Sequence, residues 1–173
     1  MGEQCAGCAA RCLVGQYSGK RVQAVLATLP GLWAALAGAD TAEMGDRNVL
    51  GGELEPCGSD PVTGFYRDGC CSTGPEDLGS HTICAVVTAE FLAHQQRIGN
   101  DLSTPMPQYH FPGLVPGDRW CVTAVNWLRA HHDGAAAHVV LASTHERTLD
   151  IVPLEALQQH AVDVPANPGA LDT

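Results

Sequence analysis

The stretch His81-Thr-Ile-Cys-Ala-Val-Val87, followed directly by Thr88-Ala-Glu-Phe-Leu-Ala-His-Gln-Gln-Arg97, decides the fold class. Its first part is apolar and β-branched and too short for a buried helix, so it reads as a buried strand. Thr88 then stands where a helix needs an N-cap. A helix is predicted from about Ala89 to Ile98, with Phe91, Leu92 and Gln95 on neighbouring faces and Gly99-Asn100 closing it. Arg119 to Arg129, carrying Trp120, Cys121, Val122, Val125 and Trp127, reads as a second strand. His131-His132-Asp133-Gly134 is a turn signal, His138–Ala142 the returning strand and Thr148–Val152 a further one. Leu154 to Ala161, with Pro153 at its start, reads as a terminal helix. Strands and helices do not alternate regularly. The expected class is therefore α+β: a small antiparallel sheet with two or more helices and long ordered loops.

Outward from this centre the chain is irregular. Residues 46–80 are rich in Gly, Pro, Asp, Ser and Thr and read as an ordered loop region. Residues 104–117 hold Pro105, Pro107, Pro112 and Pro116, which exclude a helix or a central strand. At the other end, Val22, Val25, Leu26 and Leu29 recur at helical spacing, and Leu32, Trp33 and Leu36 make a second short apolar face. Residues 1–43 are thus expected to form a short helical head behind Cys5, Cys8 and Cys12, too small to fold without a metal or a docking surface. The residues after Asp163 read as a loose tail.

The chain has 173 residues and a net charge of −10. Residues 1–43 are neutral, whereas residues 44–173 hold six Arg, no Lys and sixteen acids. So acidic a body argues against nucleic acid and against an anionic membrane as partner. The most apolar stretch, Val22 to Ala39, is broken by Gln23, Thr28, Pro30 and Gly31 and is too interrupted to span a bilayer. The start, Met1-Gly-Glu-Gln-Cys5, lacks the basic and then apolar run of a secretory signal. The expected location is cytoplasmic, where thiols stay mostly reduced. The cysteines are accordingly expected as buried thiols, metal ligands or reactive groups before disulfides.

Several long strings carry a family resemblance. They are Asn48-Val-Leu-Gly51, Leu54-Glu-Pro-Cys57, Thr63-Gly-Phe-Tyr-Arg-Asp-Gly-Cys-Cys71 and Thr73-Gly-Pro-Glu-Asp77. They continue in His81-Thr-Ile-Cys-Ala85, Gly99-Asn-Asp-Leu-Ser-Thr-Pro105, Phe111-Pro-Gly-Leu-Val-Pro-Gly-Asp-Arg-Trp-Cys121 and Ala142-Ser-Thr-His-Glu-Arg147. Over about residues 46–163 the chain resembles the mainly bacterial family called domain of unknown function 2237. The resemblance implies a compact cytosolic domain with no agreed activity. It also implies a natural start near Met44, so that residues 1–43 would be an extension of the gene model. The rival reading is a true fusion. Cys5-x2-Cys8 before an amphipathic helix with Leu29-Pro-Gly-Leu32 weakly resembles small zinc-ribbon heads of actinobacterial and phage regulators, but Ser18-Gly-Lys-Arg21 stands where their second Cys pair belongs.

Candidate chemistry centres on Cys70-Cys71. Turns at Asp68-Gly69 and Thr73-Gly74-Pro75 fix this pair, and Asp77 and His81 follow closely. Cys57, Cys70, Cys71, His81 and Cys84 form a ligand set that favours zinc, with Asp77 and Arg119 behind it. None of these pairs has the spacing of a recognised zinc motif. In the alternative, Cys70 or Cys71 is a thiolate nucleophile acting on a small molecule. His81 or His145 would lower its pKa, and Arg67 or Arg119 would hold an anionic substrate. His145-Glu146 reads either as an acid–base pair or as a polar corner between strands. Cys121, beside Trp120 in a strand, reads as core. His131, His132 and His138 flank a turn and read as solvated. A third reading is a protein-binding module with structural thiols and with Tyr66, Phe111 and Trp120 as anchors. Metal-binding protein, enzyme and binding module all remain open at this level. Phosphate loops, dinucleotide fingerprints and serine-hydrolase elbows are absent.

Overall fold

The computed structural model describes residues 45–163. Cys5, Cys8, Cys12, the expected head helices and the expected tail lie outside the described residues. The described chain is α+β, built on a three-stranded antiparallel sheet. Its strands are β1 (Ile83–Val86), β2 (Arg119–Val122) and β3 (His138–Val139), in the order β2-β1-β3. Ile83 pairs with Val122, Cys84 with Cys121, Ala85 with Trp120 and Val86 with Arg119. On the other side Ala85 pairs with Val139 and Val86 with His138.

Strand side chains alternate between faces, and here the two faces differ in kind. Ile83 and Ala85, with Trp120, Val122 and Val139, join the main apolar core. That core is closed by helices α1 (Ala89–Arg97) and α2 (Ala124–His132). Thr88 caps α1, its hydroxyl accepting from the Phe91 N–H at 3.1 Å, and Phe91 and Leu92 are buried. Trp127 of α2 is wholly buried and donates its indole N–H to the Ala137 carbonyl at 3.0 Å. The opposite face carries Cys84 and Cys121, buried with Cys57, Cys71 and Val140. Disulfides Cys57–Cys84 and Cys71–Cys121 bind the loop 57–71 onto this face. The Cys121 N–H donates to the Thr63 hydroxyl at 2.7 Å, and the Cys84 N–H to that of Thr144 at 3.1 Å. The two cysteines thus form a non-hydrogen-bonded cross-strand pair, the kind whose side chains lie closest.

Three expected elements differ. The strand predicted over Arg119–Arg129 ends at Val122, and Ala124–His132 is helical. Ala124, Trp127 and Ala130 are buried at helical spacing, a pattern that the apolar run of β2 obscured. His131-His132 therefore ends a helix and does not turn a hairpin. The returning strand has only two residues, because Leu141–Ser143 coils into a 3₁₀ turn. Glu146–Asp150 is also 3₁₀, where a strand was expected. Its start is set by His145, whose Nδ1 accepts from the Arg147 N–H at 3.0 Å. The final helix, α3 (Leu154–Gln158), is shorter than predicted, with Pro153 as its N-cap.

The described cysteines are not reduced thiols. Cys70 is disulfide-bonded as well as the four paired above, so no free cysteine remains among the described residues. Nor is His131 simply solvated. It stacks on Trp127, with ring centroids 5.5 Å apart, and its Nδ1 lies 3.1 Å from Nε2 of His160.

Removing either disulfide by a Cys57→Ser or Cys71→Ser change is expected to cost about 3–4 kcal/mol, from loop closures of 27 and 50 residues. Guanidinium unfolding of the full chain, with and without reductant, measures this. A second expectation concerns acid. Burial, and then the charges of His131 and His138, hold His160 below the ordinary histidine value. The His160 contribution to stability is therefore complete above about pH 6.5 and is lost as pH falls, because the unfolded chain takes the proton first. The slope of Tm between about pH 7 and pH 5 should flatten in His160→Gln.

Candidate functional site

The segment leading into β1 builds a histidine–carboxylate pair. Asp77 is buried, its side chain fully covered, and it accepts three hydrogen bonds. Its Oδ2 takes the His81 backbone N–H at 2.7 Å and the Thr73 hydroxyl at 3.1 Å. Its Oδ1 lies 2.7 Å from Nδ1 of the His81 ring. Burial works to raise this carboxyl, but the hydrogen bonds from the His81 ring and backbone, the His81 charge and Thr73 together hold it below the usual carboxylate range. The His81 side chain itself stays 36% exposed. A buried carboxylate on Nδ1 fixes the ring's orientation and tautomer and leaves Nε2 with the lone pair.

His81 lies on the wall of a cavity of about 370 Å³. The stapled loop contributes Gly64, Phe65 and Arg67, and β2 contributes Trp120 and Cys121. Leu102, Met106, Tyr109 and Phe111 of the proline segment complete it. Phe111 and Trp120 pack ring to ring at 5.2 Å. The Arg67 guanidinium carbon sits 4.8 Å above the Trp120 ring, within cation–π range. Phe65 lies 5.7 Å from the His81 ring.

The backbone around this cavity is held in costly conformations. Among the described residues, the non-glycine positions with positive φ are Arg67 (57°), Ser80 (52°) and His110 (52°). Arg67 lines the cavity, while Ser80 and His110 each adjoin a lining residue. Such strain persists only where surrounding structure over-determines it. Gly64 has φ 94°, and a Cβ there would collide with the Cys70 carbonyl, so the loop bearing Phe65 and Arg67 requires glycine at its turn. On the facing segment Asp101 accepts from the Ser103 and Thr104 N–H groups and from the Thr104 hydroxyl, which orders the chain entering Leu102–Phe111.

The expected ligand set divides. Sγ atoms of Cys57, Cys71 and Cys121 all lie within 4.8 Å of one another, and Cys84 is bonded to Cys57. This all-sulfur group includes Cys121, which sequence reasoning took as core, and excludes His81 and Cys70. Asp77 does stand behind His81. Arg119 is exposed on β2 and is not part of the cavity wall. His145 is buried, bonds the Arg147 backbone and lies 3.7 Å from Asp46, while Glu146 is exposed. The disulfides leave no thiolate nucleophile among the described residues. Phe111 and Trp120, expected as protein-binding anchors, are only 5% and 8% exposed and face the cavity. Tyr66 is half-buried and donates its hydroxyl to Glu76 at 2.6 Å.

In the facing wall at Leu102–Phe111, sequence reasoning singled out Phe111 but missed Leu102, Met106 and Tyr109. Its signal was present. Four apolar residues in a proline-bearing loop, without helix or strand periodicity, need a surface to pack on.

No helix among the described residues is long and apolar enough to cross a membrane. No curated protein matches the chain. The family model described as "Uncharacterized protein conserved in bacteria (DUF2237)" matches residues 47–161, a span that takes in both disulfides, the Asp77–His81 pair and every cavity wall. The chain belongs to this family of uncharacterized bacterial proteins.

Proposed function

We propose that the domain binds a small organic molecule in the cavity and that His81, oriented by Asp77, exchanges a proton with it. The observation that carries this reading is the 2.7 Å contact between the covered Asp77 carboxylate and Nδ1 of a partly exposed His81 on the cavity wall. In this arrangement Nε2 serves as base, and the carboxylate stabilises the imidazolium formed when the proton arrives. The buried rings of Phe111 and Trp120 offer flat apolar surface to a planar ligand, while Phe65 and Tyr109 stand exposed at the rim. This reading places acid–base work on the histidine and needs no free thiol. A nuclear magnetic resonance screen of the full chain with small fragments tests it. Hits are expected to move the His81 ring and Trp120 indole signals together, and Asp77→Asn is expected to redistribute the His81 tautomers. Hits that leave both rings unmoved count against the reading. Once a turned-over substrate is in hand, His81→Ala should lower its rate about 10²–10⁴-fold.

A second reading is favoured by the sulfur group. In a reducing cytoplasm, two equivalents of a dithiol reductant would convert the two disulfides to four thiols, each equivalent becoming a disulfide. Cys57, Cys71, Cys84 and Cys121 would then release their protons to water and bind a zinc ion as thiolates. A tetrahedral zinc–thiolate centre has sulfurs about 3.8 Å apart, which agrees with the 4.8 Å limit on the three grouped Sγ atoms. Its full burial would make such a centre structural, with no open position for substrate. Full chain reduced under argon and dialysed against zinc should retain about one ion per chain, and the oxidised chain none. Retention of less than about a tenth of an ion by the reduced chain would sink this reading.

A further inference from the structure

We infer that the ligand of this cavity is a planar aromatic carboxylate, its anion held by Arg67 and its ring laid against the aromatic walls. This rests on the reading of the cavity as a small-molecule site and names the class of molecule.

The first argument is charge. The chain carries −10, and only six of its bases lie in residues 44–173, all of them Arg. Yet among the described residues the cavity lining contains no Asp or Glu, and its titratable side chains besides Tyr109 and the oxidised Cys121 are Arg67 and His81. A cation set into an apolar wall of an acidic molecule makes a local positive well that a neutral or cationic ligand would not need.

The second argument is the state of Arg67. Its left-handed backbone, φ 57°, is one that glycine or asparagine adopts at lower cost. The side chain placed there lays its guanidinium over Trp120. No carboxylate lies within salt-bridge range of it among the described residues, where the ion pairs all involve histidine. Stacking occupies the face of the guanidinium and leaves its N–H edge open. That edge is a rigid fork matched to the two oxygens of a carboxylate.

The third argument is shape. Phe65, Tyr109, Phe111 and Trp120 surround the space, and about 370 Å³ suits one or two fused rings with a short substituent. A phosphate ester fits less well. Phosphate sites recruit backbone N–H groups at a helix start, and here the start of α2 is already closed by the Ser80 carbonyl, which accepts from the Ala124 N–H at 3.0 Å.

The test uses the full chain and four probes: 2-naphthoate, 2-naphthamide, 2-naphthylmethylammonium and inorganic phosphate. Trp120 indole and His81 ring signals report site occupancy, and titration gives dissociation constants. Naphthoate is expected to bind at least about tenfold more tightly than the isosteric amide, with the ammonium weakest. Arg67→Gln should bring the acid-to-amide affinity ratio to about one, whatever it does to affinity for both, and Arg67→Lys should restore only part of the preference. Equal affinity for acid and amide, or a preference that survives Arg67→Gln, overturns the ligand class and leaves the cavity reading intact. Phosphate binding more tightly than naphthoate overturns it in favour of a phosphate ligand. If no probe moves either ring, the cavity reading and the ligand class fail together.

Discussion

The pairing of Cys84 with Cys121 across β1 and β2 is the constraint on which the rest depends. A sheet with strands of four, four and two residues has two faces and little surface of its own. Helices α1 and α2 cover one face by ordinary apolar packing. Among the described residues no helix covers the other face. It is closed because each cysteine of the cross-strand pair is bonded to a cysteine of the loop 57–71, which would otherwise have no apolar stripe to hold it down. Hydrogen bonds follow this registration and do not cause it. Thr63, between the two bonded cysteines, reaches the Cys121 N–H on the outer edge of β2 and so also blocks that edge from pairing elsewhere.

Holding that loop fixes the cavity. Phe65 and Arg67 lie between the two anchor points, so their positions are set by covalent bonds at either end and by the Gly64 turn within. The Asp77–His81 pair stands just beyond the second anchor, at the entry to the central strand, and is locked by three hydrogen bonds to one carboxylate. The proline segment brings the remaining wall. Prolines keep it from pairing as a strand, and Leu114 donates its N–H to the Leu102 carbonyl at 2.8 Å, closing the segment on itself. Apart from Trp120 and Cys121 on β2, the walls are therefore irregular backbone supported by a regular element beneath. This suits a site that needs fixed side chains on a small scaffold.

What was legible in the sequence follows the same division. The strand at Ile83–Val86 and the capped helix after it were readable because burial and local chemistry agree there: a β-branched run, then Thr88 followed by Phe91 and Leu92. Helix α2 was not readable as a helix. It begins two residues after a strand ends, and the apolar positions of both elements merge into one run from Trp120 to Trp127. The 3₁₀ turn at Glu146–Asp150 depends on the His145 ring accepting a backbone N–H, which no periodicity announces. Asp77 and His81 were singled out by proximity, and the four-residue spacing does bring them together. Which cysteine meets which could not be read from spacing, since the pairing is decided by β register over 27 and 50 residues of separation.

The sulfur group and the cavity are not independent, because Cys121 belongs to both. Two disulfides and a zinc–tetrathiolate centre are alternative ways to hold the same loop on the same face. In each, Cys57 and Cys71 must stay above Cys84 and Cys121, so the shape of the wall would change little. Their charges differ. Two disulfides are neutral, whereas four thiolates around a divalent ion carry a net charge of about −2. Behind a wall that also bears Arg67, that charge would compete with an anionic ligand for the guanidinium, with the exposure of Arg67 letting solvent screen part of the effect. An anion in the cavity and a metal among the sulfurs would therefore weaken one another by the same factor in both directions, as linkage requires. The oxidised, neutral arrangement is the one in which the lone guanidinium of the cavity is free to act on a ligand.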